Sequence, residues 1–235
     1  MLPMAILAGG YATRLGPLTR DTPKCLIEIN GRPFVDWQLD LLIDKGYSDF
    51  IFCLSYKSNL IQNHLGDGSE RGVRIQYSLD GETQLGTGGA IKKALSMLGP
   101  AFGVLYGDSY LPMNYQQAEQ LFLANQSYAL MTVYKNQNQF DKSNVEFVDG
   151  KLLNYEKDTD NQNLHHIDYG LTFFREAAFQ PWANQSSFDL SKVCHQLAKD
   201  KQLDGFEVHD RFYEIGSILG IEEIAQYLGK VSNEL

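Results

Sequence analysis

Through the first half of the chain, short runs rich in Ile, Val, Phe and Leu alternate with longer segments of helical periodicity. Such alternation marks β-α-β units, in which a helix carries the chain back across a sheet so that successive strands run parallel. The runs Met4–Leu7, Phe50–Ser55, Arg74–Ser78 and Phe102–Tyr106 read as strands. Between the first two, Phe34, Trp37, Leu41 and Leu42 recur at helical spacing after Pro33 and stop at Gly46. A proline start and a glycine end predict one helix there. Another is expected from Ser58 to Leu65, and a third where Ala90, Ile91, Ala94, Leu95 and Leu98 follow a glycine cluster and end at Gly99-Pro100.

From about Tyr128 the pattern turns strand-like and more antiparallel: Ala129–Tyr134, Val145–Phe147, Leu152–Tyr155 and Ile167–Phe174, with the turn signal Asp149-Gly150 between two of them. A helix near Leu190–Leu197, a strand ending at Tyr213–Gly216 and a helix near Ile221–Leu228 follow. No Pro/Gly/Ser linker separates autonomous units, so residues 1–235 are expected to form one α/β domain, with halves at about 1–127 and 128–235.

Composition narrows the partners. The net charge is −9, and no run of lysine and arginine could neutralise a row of phosphates, which excludes a nucleic-acid partner. Any phosphate chemistry must sit in one local pocket of a few cations, backbone N–H groups and a divalent metal. The three cysteines are far apart and lack metal-ligand spacing, which suits reduced thiols in the cytoplasm. Met1 to Gly10 lacks a basic leader and is too short to span a bilayer, and no other segment approaches 18 uninterrupted apolar residues, so no membrane partner is expected. The five histidines are scattered and read as structural or exposed, with His165-His166 the pair most worth locating.

Leu7-Ala8-Gly9-Gly10-Tyr11-Ala12-Thr13-Arg14 follows the first strand directly, at the carboxyl edge where open α/β sheets bind ligands. Glycines there let the main chain approach a polyphosphate and adopt positive φ, and Arg14 adds a forked cation. On these residues alone, an ordinary glycine turn fits as well. Neither G-x-G-x-x-G nor G-x-x-x-x-G-K-[ST] is present, which argues against hydride-transfer and P-loop chemistry. Further on, Pro23 stiffens the loop that presents Lys24, a point charge suited to phosphate. Asp108 ends the apolar strand Val104-Leu105-Tyr106-Gly107, where it can either hold Mg²⁺ or cap the next element.

The pattern L-A-G-G-x-x-T-R-L-x-P-L-T-x-x-T-P-K-x-L, from Leu7 to Leu26, resembles the N-terminal signature of the sugar-1-phosphate nucleotidyltransferases. The resemblance implies a Rossmann-like, mixed but mainly parallel sheet flanked by helices. It implies a Mg²⁺-dependent enzyme that joins a nucleoside triphosphate to a sugar 1-phosphate and releases pyrophosphate. Leu7, Ala8, Gly9, Gly10 and Thr13 would line the triphosphate, Arg14 would grip pyrophosphate, Lys24 would contact the phosphates near the reacting phosphorus, and Asp108 would ligate the metal. Gln84-Leu85-Gly86-Thr87-Gly88-Gly89-Ala90 resembles the L-G-T-x-G-A element of the base pocket, with Gln84 and Gly88 the candidate base contacts.

Three later segments resemble the family with departures. Tyr155-Glu156-Lys157 looks like F-x-E-K-P, in which the glutamate binds sugar hydroxyls and the lysine the sugar phosphate, but Asp158 replaces the proline. Asp168-Tyr169-Gly170 takes the place of an Asn-Ala-Gly-like sugar contact. Phe212 to Ser217 resembles W-x-D-V-G-T, whose aspartate shares the metal, and here Glu214 stands in that place. Tyr110 is a candidate to border the sugar, against a plain core role. The short length looks most like heptose-1-phosphate guanylyltransferases and amino-sugar-1-phosphate uridylyltransferases, with the guanylyl reading first and a homodimer as an expected assembly. Rival readings are a transferase for an alcohol phosphate, a catalytically silent nucleotide-sensing subunit, and an NAD-dependent oxidoreductase.

Overall fold

A computed structural model describes residues 1–10, 15–16, 20, 22–157, 160–161 and 163–231. In chain order the first half holds β1 (Met4–Leu7), β2 (Glu28–Ile29), β3 (Arg32–Pro33), α1 (Phe34–Asp44), β4 (Asp49–Leu54), α2 (Ser58–Leu65), β5 (Arg74–Leu79), α3 (Gly86–Leu98), β6 (Ala101–Tyr106), β7 (Ser109–Tyr110) and α4 (Tyr115–Ala124). The second half holds β8 (Ala129–Lys135), β9 (Val145–Val148), β10 (Lys151–Tyr155), β11 (His166–Arg175), α5 (Leu190–Lys199), β12 (Leu203–Val208), β13 (Tyr213–Glu214) and α6 (Ile218–Val231).

Among the described residues, strands from both halves join one nine-stranded sheet. β6, β1, β4 and β5 lie side by side in parallel, as the β-α-β pattern requires. β11 then pairs antiparallel with β6, and β8 antiparallel with β11. The sheet is therefore mixed and mainly parallel. β12 was not expected, and it runs parallel to β8. Within it Gly205 is there for packing: a Cβ on it would lie 2.5 Å from Phe147 Cε2.

Side chains alternate between the two faces of β1, so Met4 and Ile6 enter one core and Ala5 the other. The first core is closed by α1, α2 and α4 through Leu39, Ile61 and Phe122, the second by α3 and α5 through Ile91 and Val193. α6 closes a third cluster over Phe34 and Tyr110 with Ile224 and Leu228. α4 was not expected either, because its glutamines dilute the apolar pattern. Asn114 caps it by accepting from Gln117 N–H, and Glu119 is buried where it accepts from Tyr47 Oη at 2.9 Å. No helix among the described residues is long and apolar enough to cross a membrane.

Candidate active site

The carboxyl ends of β1, β5 and β6 surround a cavity of about 350 Å³. Backbone pairing fixes its floor. Gly107 N–H donates to Leu7 O at 2.9 Å and Ala8 N–H to Cys53 O at 3.1 Å, so the segments after β1 and β6 are tied to their neighbours past the last ladder bond. Gly107 must be glycine, since a Cβ there would come 2.9 Å from both Ala8 Cβ and Leu7 O. Leu7, Ala8, Gly9 and Gly10 line the cavity.

The glycines of this loop act differently from the expectation. Neither Gly9 nor Gly10 is among the glycines with positive φ. Gly9 serves close approach, its Cβ position being 3.1 Å from Ser55 Cβ, while among the described residues none comes within 4 Å of the Cβ position on Gly10. Thr13 and Arg14 lie outside the described residues, as does Asp158.

Lys24 starts a 3₁₀ turn, Lys24–Leu26, after Pro23 in an extended conformation. Its Nζ donates to Asp108 Oδ2 at 2.6 Å. Asp108 itself sits in the turn between β6 and β7, and that turn is clamped from two sides. Ile215 N–H donates to Asp108 O at 3.0 Å, and the buried Gln38 amide donates to Tyr106 O at 2.9 Å and Ser109 O at 2.6 Å. Gln38 is a positioning residue that nothing in its sequence context signals.

The β13–β7 pairing sets Glu214 opposite Ser109, one residue from Asp108. A Cβ built on Gly216 would lie 3.2 Å from Glu214 Oε1 and 3.5 Å from Lys24 Nζ, so carboxylate and ammonium converge on one point. No group of three or more metal-ligating side chains occurs among the described residues. Two carboxylates are nonetheless what Mg²⁺ needs when phosphates and water complete its octahedron. Asp108 and Glu214 fit that donor set, and the Lys24 ammonium shows that this corner attracts a cation.

The segment from Gln84 to Ala90 forms the far wall. Gln84 Nε2 donates to Gly9 O at 3.3 Å, and Gln84, Gly86, Thr87 and Asp80 all line the cavity. Gly88 does not face it. Its N–H donates to Phe188 O, and its Cβ position is 2.4 Å from the Phe188 ring, so the expected base contact is used up in packing α3 against the approach to α5. Asp80 was not picked out from sequence. Cys25 and Cys53 also line the cavity, and burial pushes both thiols up to about 12, which removes them as thiolate nucleophiles at neutral pH.

The sugar-side candidates divide. Asp168 accepts from Gly170 N–H at 3.0 Å, and Gly170, at φ +110°, brings the chain beside Ser109. Burial pushes the Asp168 carboxyl up to about 6, against lowering by the Gly170 hydrogen bond and Lys157. Glu156 and Lys157 line a second depression with Trp182, Ser191, Lys192 and His195. Lys157 Nζ donates to Asp189 Oδ2 at 3.1 Å, while Leu190 N–H donates to Thr87 Oγ1 at 2.8 Å, so the two depressions share a wall. Tyr110 is not on either. It is buried edge-on to Tyr227 in the α6 cluster, on the face of β7 opposite to its neighbour Ser109. Of the histidines, His64 meets Asp36 and His166 meets Glu207, neither of them on the cavity or the second depression, while His195 meets Tyr155 O at the second depression.

Residues 4–218 match the family model described as nucleotidyl transferase. A D-glycero-α-D-manno-heptose 1-phosphate guanylyltransferase of Campylobacter jejuni is 30% identical over 90% of this chain and 93% of its own length. An N-acetylmuramate α-1-phosphate uridylyltransferase of Neisseria meningitidis is 37% identical over 49% of this chain and 50% of its own. The solved inositol-1-phosphate CTP transferase of T. maritima superposes with a TM-score of 0.82 at 18% identity, covering 98% of this chain and 96% of that one, a likeness of fold.

Proposed function

We propose that this chain, which belongs to the nucleotidyl transferase family, makes a nucleoside diphosphate sugar from GTP and a heptose 1-phosphate-like sugar. The observation that carries the reading is the convergence of Lys24, Asp108 and Glu214 at the cavity that Leu7 to Gly10 line. The reacting atoms are two anions that repel each other, so catalysis rests on holding them in line and stabilising the charge between them. An oxygen of the sugar phosphate forms a bond to the α-phosphorus while the bond from that phosphorus to the β-phosphate bridge breaks, and pyrophosphate leaves on the opposite side. The sugar phosphate is ionised at neutral pH, so no general base is needed.

Roles follow from position. Leu7 to Gly10 support the triphosphate with main-chain groups, and Lys24 turns from Asp108 to the α-phosphate. Arg14 and Thr13 are assigned to the phosphates by sequence motif alone. Asp108 and Glu214 would hold Mg²⁺, which supplies Lewis-acid neutralisation of the phosphate oxygens when bound. Glu156 and Lys157, which line the second depression, would contact the sugar phosphate, and Asp168 is assigned to the sugar by sequence motif alone. Guanine and heptose are favoured because a relative 30% identical over 90% of this chain is a heptose 1-phosphate guanylyltransferase. The setting that fits is cytoplasmic supply of a cell-surface or capsular polysaccharide, with a homodimer as the assembly to test. A silent sensing subunit is disfavoured by the intact Lys24 and Asp108 pair.

Pyrophosphate release should be measured with ATP, GTP, CTP, UTP and dTTP, each with Mg²⁺ and a panel of sugar 1-phosphates. Turnover confined to GTP and a heptose or manno-configured sugar is expected. Turnover with UTP alone would sink the guanylyl reading, and silence with every pair would sink the enzyme.

A further inference from the structure

We infer that the cavity between α1, β7 and α6 binds an organic polycation of the polyamine class, through Asp44, Asp210 and the hydroxyl of Tyr110. Such a site shares no lining residue with the nucleotide cavity, and its occupancy does not depend on which nucleotide or sugar is joined.

The cavity holds about 690 Å³, and its walls combine carboxylates with aromatic rings. Asp40 and Asp44 come from α1 and Asp210 from the segment before β13, while Lys45 is the one cation of the described lining. Asp40 is already engaged, accepting from Arg32 at 2.6 Å. Asp44 and Asp210 are exposed at the mouth and form no ion pair among the described residues, Lys45 included. Asp44 also sits at the unfavourable end of its helix. The last turn of α1 carries no basic residue, so the carboxylate adds to the partial negative charge of the C-terminal carbonyls. A cation arriving there is attracted by both.

A second observation comes from the cavity wall. Tyr110 is 8% exposed, its ring lines the cavity, and its Oη makes no hydrogen bond among the described residues. Burial pushes the hydroxyl up to about 12, and Tyr227, Asp44 and Asp40 add to the rise, so the hydroxyl faces the carboxylates of α1. A buried phenol without a partner calls for one, and it can accept from an ammonium N–H while Asp44 accepts from another. The arrangement recurs at Asp210. The buried Tyr169 hydroxyl is unpartnered among the described residues, and burial, Asp210 and Tyr227 all raise it.

The walls also select the kind of cation. No three metal-ligating side chains gather among the described residues, so a bare metal ion lacks its protein oxygens here. Trp37, Tyr110 and Tyr227 instead offer aromatic rings, and Arg32 already lies over the Trp37 ring at 4.9 Å. Leu41 and Leu228 give methylene groups an apolar surface. Two carboxylates on separate elements, with such a surface between, suit ammonium groups joined by an alkyl chain.

The test titrates spermidine into the full chain by calorimetry, without nucleotide and in about 0.15 M salt, which screens the diffuse field of the net charge. Saturable binding at one site is expected. Asp44→Asn and Asp210→Asn should each weaken it by on the order of 10-fold, the scale of a charge-assisted hydrogen bond. Tyr110→Phe, which removes only the hydroxyl, should weaken it by about threefold or more. Asp200→Asn, at an exposed carboxylate on the end of α5, should change it by less than about twofold. Thermal melts check that each variant is folded. No saturable binding, or wild-type affinity in all three folded cavity variants, overturns the site. An equal loss in Asp200→Asn overturns it as well, since spermidine would then be held by the acidic surface as a whole. Displacement of spermidine by an equal concentration of Mg²⁺ overturns the polyamine in favour of a metal ion. Because no nucleotide is present, a failure of the GTP reading leaves each of these results unchanged.

Discussion

Each half of the site holds a lysine against an aspartate, and the two pairs are built differently. Lys24–Asp108, at 2.6 Å, stands on main-chain scaffolding: the aspartate lies in a turn held by Ile215 N–H and Gln38, and the lysine starts a proline-led 3₁₀ turn. Lys157–Asp189, at 3.1 Å, joins a strand-end residue to a helix cap, and both side chains are more than a third exposed. An exposed pair of this kind adds little to stability, so its lysine transfers to an incoming phosphate at small cost. The first pair is thus held by hydrogen bonds to the backbone around it, and the second is an exposed pair of side chains.

The comparison breaks most visibly at Asp108. Asp108→Asn removes the charge opposite Lys24 while keeping the side-chain shape, and kcat should fall by on the order of 10³-fold or more with the melting temperature little changed. Retained Mg²⁺-dependent turnover would take Asp108 out of the site. Lys157→Met should act more mildly and on one substrate. KM for the sugar 1-phosphate should rise by about 10- to 100-fold, the scale of one charge-assisted hydrogen bond, with KM for the nucleotide within about twofold. An equal rise for both substrates would mean that the halves are not divided as described.

Legibility in the sequence follows the same division. Elements whose side chains repeat with a clean period were readable, β1 and α2 to the residue, because burial imposes the period. α4 and β12 were not, since glutamines interrupt one and an Asp-Gly pair the other. Lys24 and Asp108 could be picked out because each sits at a strand or loop end in a specific motif, whereas their contact across 84 positions needed the fold. Tyr110 and Gly88 show the opposite failure. Their motifs are recognisable, but β7 alternation turns the first inward and Phe188 covers the second. Asp80 carries no local signal beyond an aspartate after a strand. Its place in the cavity comes from β5 ending at the same edge as β1.

The smallest effect should come from Asp168, and its sign is opposite to that of a paired carboxylate. Burial raises this carboxyl from an ordinary 3.8 to about 6, so the folded chain holds a proton that the unfolded chain has released between those values. Where the folded state binds more protons, stability falls as pH rises. Asp168 therefore costs nothing near pH 3, and its penalty grows from about pH 4 and levels off above the folded value near 6. Asparagine at this position keeps an acceptor for Gly170 N–H and has no charge to bury. Asp168→Asn should therefore stabilise the protein at pH 7.5 by about 1 kcal/mol, a shift of two units being worth about 2.7 before discounting for the exposure the side chain retains. Urea unfolding of both proteins at pH 4.5 and 7.5 reads it, and the gap should shrink at the lower pH. A gap that is equal at both pH values would mean that Asp168 is ionised throughout. The same variant should bind sugar 1-phosphate less well, which would make Asp168 a carboxylate kept at a stability cost for what it does to the sugar.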